Sequence, residues 1–147
     1  MIKSIYIIHE SGICLFEKEC SHDRVNKDLF SGYVKALICF AKEITNDVIS
    51  EVRMEKRNIY YETCEKILVV IVSSPNINRK RLKGVFQAIM AEFILQYGDY
   101  LDHNILTREP FNSFSGRLDT ILFDFCYTEK YLTISTTKGE KLAKSKL

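Results

Sequence analysis

Ile67-Leu68-Val69-Val70-Ile71-Val72 is the stretch that decides the architecture. Five of its six residues are β-branched, which favours extended backbone over helix. Side chains along a strand point alternately to opposite faces, so a run apolar at every position needs cover on both. The run is too short to cross a bilayer. It is therefore expected as a central strand of a sheet with helices on both sides.

The pattern on either side extends this expectation. Val48 to Met54 and Ile59 to Cys64 alternate apolar and polar residues around the polar turn Glu55-Lys56-Arg57-Asn58, which predicts two more strands. At the start, residues 2–8 read as a strand. His9-Glu10-Ser11-Gly12 reads as a turn, and Ile13-Cys14-Leu15-Phe16 as a returning strand. Ser21 to Asp23 supply N-cap candidates for a first helix that runs to about Glu43. A second helix follows the break at Ser74-Pro75-Asn76 and carries Leu82, Phe86, Ile89, Met90, Phe93, Tyr97 and Tyr100. Residues 101–112 read as a polar loop. Phe114, Leu118, Ile121, Leu122 and Phe125 then repeat at helical spacing, with Ser113 and Ser115 as cap candidates. The order is ββα-βββ-αα. With no internal repeat and no linker, residues 1–126 form one domain, and 127–147 are a C-terminal segment and basic tail.

Composition bounds the function classes. The chain has 147 residues, 46% hydrophobic and 27% charged, and a formal net charge of +2. That is a globular balance with no strongly charged partner implied. Five lysines against two glutamates from Tyr127 onward give the tail +3 and leave the rest at −1. The five cysteines are odd in number and widely spaced, and no secretory pattern opens the chain. They read as reduced thiols of a cytoplasmic protein. The final Ser145-Lys146-Leu147 matches a peroxisomal address, which a lysine-rich tail also produces by chance.

No chemistry-bearing constellation stands out. His9 and His103 have no spaced partner and read as solvated surface residues. Cys20 and His22 fall short of the four ligands of a structural zinc site. No glycine-rich phosphate loop or nucleophile elbow is present. An enzyme, a cofactor and a metal are therefore not expected. Arg79, Lys80, Arg81 and Lys83 open the second helix, where cations oppose the macrodipole. They read as a solvated helix start or as a contact for an acidic partner or phospholipid head group. Without interleaved aromatics, nucleic acid is not expected.

The first helix is the anomaly. Leu29, Tyr33, Ala36, Leu37 and Phe40 define an expected core face. Phe30, Val34, Ile38 and Ala41 form a second apolar stripe beside it. A helix lying on a sheet needs only one. Either a loop or the C-terminal segment covers the second stripe, or a partner does. Tyr127, Tyr131, Leu132 and Ile134 make the C-terminal segment apolar enough to be such a cover.

In element order and length, residues 1–126 resemble the longin, or SNARE-like, domain. The opening Met-Ile-Lys-Ser-Ile-Tyr-Ile-Ile-His-Glu-Ser-Gly-Ile-Cys-Leu-Phe is similar to the first hairpin of small adaptin, TRAPP and sedlin-type subunits, and of archaeal single-domain longins. The resemblance implies a five-stranded antiparallel sheet of order 2-1-5-4-3, with one helix on one face and two on the other. It implies a protein–protein interaction module: a homo- or heterodimeric scaffold or regulator of small GTPases in vesicle trafficking. The partner would be a small GTPase or another longin or roadblock-type protein, and the location cytoplasmic, with peripheral membrane contact. No SNARE heptad region follows residue 126. The second strand would be a sheet edge, so Ile13 and Leu15 join Phe30, Val34, Ile38 and Ala41 as expected partner contacts. Alternatives are a ligand-sensing α/β domain or a small subunit of a coat or tethering complex.

Overall fold

The computed structural model describes residues 1–21, 25–102 and 107–126. Strands β1 (Ile2–His9) and β2 (Cys14–Glu19) precede helix α1 (Lys27–Thr45). Strands β3 (Glu51–Arg53), β4 (Asn58–Cys64) and β5 (Ile67–Ser73) precede helix α2 (Arg79–Tyr97). A third helix, α3, covers residues 114–126. The sheet is antiparallel with order β2-β1-β5-β4-β3, the order the longin resemblance implied.

All seven residues of β5 are buried. Val69 and Ile71 join Ile5 and Ile7 on the α2–α3 side, while Leu68, Val70 and Val72 join Tyr6 and Ile8 on the α1 side. The unbroken apolar run is thus the consequence of a strand covered on both faces.

The β1–β2 pairing carries a bulge. Ile7 opposes Phe16 and Ile8 opposes Cys14, leaving Leu15 as the extra residue. A bulge lets neighbouring side chains share a face. Leu15 and Phe16 both enter the α2–α3 core, while Cys14 faces α1. Leu15, expected at a partner surface, is therefore a core residue, 1% exposed. Ile13, just before β2, stays exposed.

The α2–α3 side is an aromatic core. The Phe93 ring meets Phe114 edge-on at 5.2 Å and stacks near Phe111 at 5.5 Å. Edge-to-face and offset arrangements are the favoured ones for such rings. Phe111 corrects the polar-loop expectation for 101–112: short 3-10 turns over Gly98–Asp102 and Glu109–Phe111 bury Leu101 and Phe111. At α3, Ser113 does not act as a cap. Its hydroxyl pairs with the Tyr97 hydroxyl at 2.5 Å and donates to the Pro110 carbonyl.

Helix α1 starts at Lys27, later than expected. The Asn26 side chain accepts from the Asp28 and Leu29 backbone N–H groups, both at 3.1 Å, a true N-cap. Asn46 ends the helix in the left-handed conformation (φ 55°), which asparagine tolerates better than most residues.

Candidate functional site

The two apolar stripes of α1 exchange the roles expected of them. Val34 is buried, and Phe30 and Ile38 pack with it against Tyr6, Ile8, Val70 and Val72. Ala41 is half-buried on the same side. Phe30, Val34 and Ile38, expected to meet a partner, instead meet the sheet. Of the stripe expected to be core, Leu29 is 73% exposed, Phe40 62% and Tyr33 48%, with Ala36 exposed and only Leu37 half-buried. Ile44, one turn beyond Phe40, is 77% exposed.

Two contacts fix this rotation of the helix. The Phe30 ring lies 4.6 Å from the Tyr6 ring of β1. Lys27 Nζ reaches Glu17 of β2 at 3.2 Å. The ion pair is partly exposed and contributes little energy, so the ring contact and Val34 burial decide. With Val34 taken as the centre, Leu29, Tyr33, Ala36, Phe40 and Ile44 fall about 80–160° to one side. Asp28, Lys35 and Lys42 fall on the other flank, and Glu43 directly opposite Val34. Only the charged flank suits water.

The apolar flank continues in the chain. Val48, between α1 and β3, is exposed, whereas Met54, exposed immediately after β3, lines a groove with Tyr60, Ile77 and Arg79 on the α2 side. Strand β3 is a sheet edge of three residues. The other edge, β2, has its side chains engaged within the chain: Glu17 with Lys27 and Arg108, Lys18 with Asp119. The exposed apolar side chains therefore lie along α1 and at Val48 after it, while those of β2 are engaged within the chain.

Beneath α1 the packing is partly polar. The Tyr6 hydroxyl and Ser31 Oγ are buried and make no hydrogen bond of good geometry among the described residues. Burial raises the pKa of both Tyr6 and Cys14, with the nearby Ser4 and Ser31 hydroxyls opposing the rise only in part. Each therefore stays neutral in this layer.

The basic cluster is divided. Arg79 pairs with Glu51, and Arg81 stacks on the Phe125 ring at 4.7 Å and donates to its carbonyl. Lys80 and Lys83 are exposed. Arg79 is exposed as well, but its charge is engaged by Glu51. His9, expected on the surface, is buried, with Nδ1 paired to the Ser11 hydroxyl at 2.8 Å. His22, His103 and the expected C-terminal cover, 127–137, lie outside the described residues. Among the described residues, no group of three His, Cys, Asp or Glu side chains could hold a metal, and no helix is long and apolar enough to cross a membrane. A groove of about 330 Å³ between α2 and α3, lined by Arg81, Val85, Ile121 and Phe125 among others, opens to solvent.

No family model and no curated protein matches the sequence. Among solved structures, MglB in a tetrameric arrangement aligns with TM-score 0.52 at 17% identity, over 68% of this chain and 79% of that one. The fold is longin-like. Two further structures are similar at lower scores. The gliding protein MglB from Thermus thermophilus gives TM-score 0.46 at 16% identity, over 56% of this chain and 67% of that one. A Roadblock/LC7 domain from Streptomyces avermitilis gives 0.47 at 12%, over 69% and 87%.

The central place of β5 and helices on both faces were legible from the run at Ile67 to Val72, and the sheet order from the longin resemblance. The exposed flank was not. Its residues were singled out, but as core. On α1 the apolar arc is about 200° wide, and its two halves are chemically alike. The signal that could have helped is Ser31, a polar residue beside the buried stripe, which offers no guide until its burial is seen.

Proposed function

We propose that this chain is a protein–protein interaction module that pairs through the apolar flank of α1 and the neighbouring β3 edge, and that the pair serves as a scaffold or regulator of a small GTPase. The observation that carries the reading is the flank itself. Leu29, Tyr33, Phe40 and Ile44 lie open to solvent along one side of one helix. Contiguous apolar surface on a helix marks an interaction site. Burying four such side chains contributes roughly 6–12 kcal/mol. Association costs at least about 4 kcal/mol, and more on some accounts. The flank alone thus supports a reversible pair, and strand pairing at β3 would strengthen it.

A second copy or another longin or roadblock-type chain is the natural partner, because an isologous contact matches an apolar flank with its own kind. The MglB structure of the same fold is described in a tetrameric arrangement, which is in keeping with self-association. The small GTPase, and membrane traffic as its setting, rest on the longin resemblance.

Light scattering of the full chain at tens of micromolar tests the interface. A dimer is expected, converted to a folded monomer by Phe40→Asp. An unmutated chain that stays monomeric at every concentration overturns it. Retention on immobilised small GTPases of the same organism, loaded with GDP or a GTP analogue, tests the regulator. If none is retained, the GTPase assignment fails while the interface stands.

A further inference from the structure

Strand β2 and helix α3 climb side by side, and their contacts come in step. The rings of Phe16 and Phe114 meet edge-on at 5.5 Å. Two residues further along β2, Lys18 Nζ reaches Asp119 Oδ1 at 2.8 Å. Two residues further again is Cys20, on the same side of the strand as Lys18. On α3, Cys126 follows Asp119 by seven residues, two turns, and so returns to the same helix face. The strand advances about 7 Å between its last two steps and the helix about 10 Å, which brings the two cysteines to the same end of the layer.

Both residues have fixed backbones. The Cys20 N–H donates to the Lys3 carbonyl at 2.8 Å, keeping it in the ladder beside β1. Cys126 follows Phe125, whose ring is buried and whose carbonyl accepts from Arg81. Both cysteines are exposed. The Cys20 thiol is held above its ordinary pKa, first by local burial. Lys18 opposes the shift, and the negative charge of Cys126 and Asp119 adds to it. The two sulfurs therefore share one electrostatic neighbourhood. The remaining thiols sit elsewhere: Cys14 is buried, Cys64 is half-buried, and Cys39 lies on α1 across the sheet.

We propose that Cys20 and Cys126 form a reversible disulfide that staples the end of β2 to the end of α3. A small-molecule disulfide such as glutathione disulfide is the oxidant. Cys126 loses its proton and attacks one glutathione sulfur. The glutathione S–S bond breaks, one glutathione thiolate leaves, and a mixed disulfide remains. Cys20 then loses its proton and attacks the Cys126 sulfur, displacing the second glutathione. Two electrons pass from the protein pair to the oxidant, and one S–S bond replaces another. The staple would fix the point from which residues 127–147 continue.

The test is native oxidation of the reduced full chain by glutathione disulfide, followed by alkylation, digestion without reductant and peptide mass spectrometry. The expected result is a dominant Cys20–Cys126 linked peptide, with two of the five thiols lost to alkylation and both restored by dithiothreitol. Cys20→Ser should trap the glutathione adduct on Cys126, raising its yield at least tenfold over the unmutated chain. Stable adducts at both cysteines of the unmutated chain, or a dominant disulfide between any other pair, overturn the proposal. Circular dichroism of the reduced variant confirms that the exposed substitution leaves the fold in place.

Discussion

The two faces of the sheet are closed to different degrees. On one, α2, α3 and the 3-10 turns interlock Phe93, Tyr97, Phe111 and Phe114 over Ile5, Ile7, Val69 and Ile71. On the other, α1 is the one helix among the described residues that covers Tyr6, Ile8, Val70 and Val72, and only Ser31 and Val34 of its nineteen residues are fully buried. The first face is saturated with apolar contact. The second leaves half of its helix's apolar surface in water and buries the Tyr6 and Ser31 hydroxyls without a well-formed hydrogen bond among the described residues. The difference separates the side whose packing holds the fold from the side on which the proposed interface lies.

The most severe way to test this contrast is to open a cavity on each side. Phe93→Ala, at a fully buried ring, is expected to cost about 3–5 kcal/mol in urea unfolding. Phe30→Ala, at a half-buried ring beneath α1, is expected to cost less than half of that. Equal losses would abolish the distinction between the faces.

Association supplies the next largest effect. Tyr33→Asp and Phe40→Asp each place a charge on the open flank. Each is expected to raise the dimer dissociation constant at least about tenfold, or 1.4 kcal/mol, while the urea midpoint of the monomer scarcely moves. Ile38→Asp is expected to behave oppositely, because Ile38 packs under the helix. It should unfold or loosen α1 before it disturbs pairing, as near-ultraviolet and far-ultraviolet circular dichroism would report.

Tyr6→Phe sharpens the account of the polar layer. It deletes a buried hydroxyl that makes no well-formed hydrogen bond among the described residues, so little is lost with it. Stability should be unchanged or rise by up to about 1 kcal/mol; a loss larger than that would show the hydroxyl to be satisfied in solution.

The smallest effect lies on the closed face. Arg117 holds both carboxylate oxygens of Glu92, at 3.0 and 2.7 Å, and this hydrogen bonding keeps the Glu92 carboxyl below its ordinary pKa. A carboxylate with a depressed folded-state pKa contributes stability above its unfolded value of 4.5, and loses it as pH falls through the lowered folded value. The pair is exposed, so the contribution is small and screened by salt. Glu92→Gln should therefore lower the urea midpoint slightly at about pH 6 and not at about pH 3, with the difference shrinking in high salt.

Periodicity reached far in this chain because strand alternation is a local property. Ile67 to Val72 had to be covered twice, Ile59 to Cys64 had to pair beside it, and Phe114 to Phe125 had to present one stripe. It failed at Phe111, where a buried ring sits in a stretch of polar neighbours, and at Leu15, where a bulge turns a side chain to the opposite face. Neither a 3-10 turn nor a bulge has a period to read.

By itself the sequence determined the strands and the three α-helices, the central place of Ile67 to Val72 and the existence of two apolar stripes on α1, while the full strand order came from the longin resemblance. Only the tertiary structure decided which stripe is inside. Both halves of the helix's apolar arc are chemically able to face a core, so hydrophobicity gives no preference. The choice belongs to shape: the Tyr6 ring on β1 offers a surface that Phe30 and Val34 fit, and seating them turns Leu29, Tyr33, Phe40 and Ile44 out to solvent.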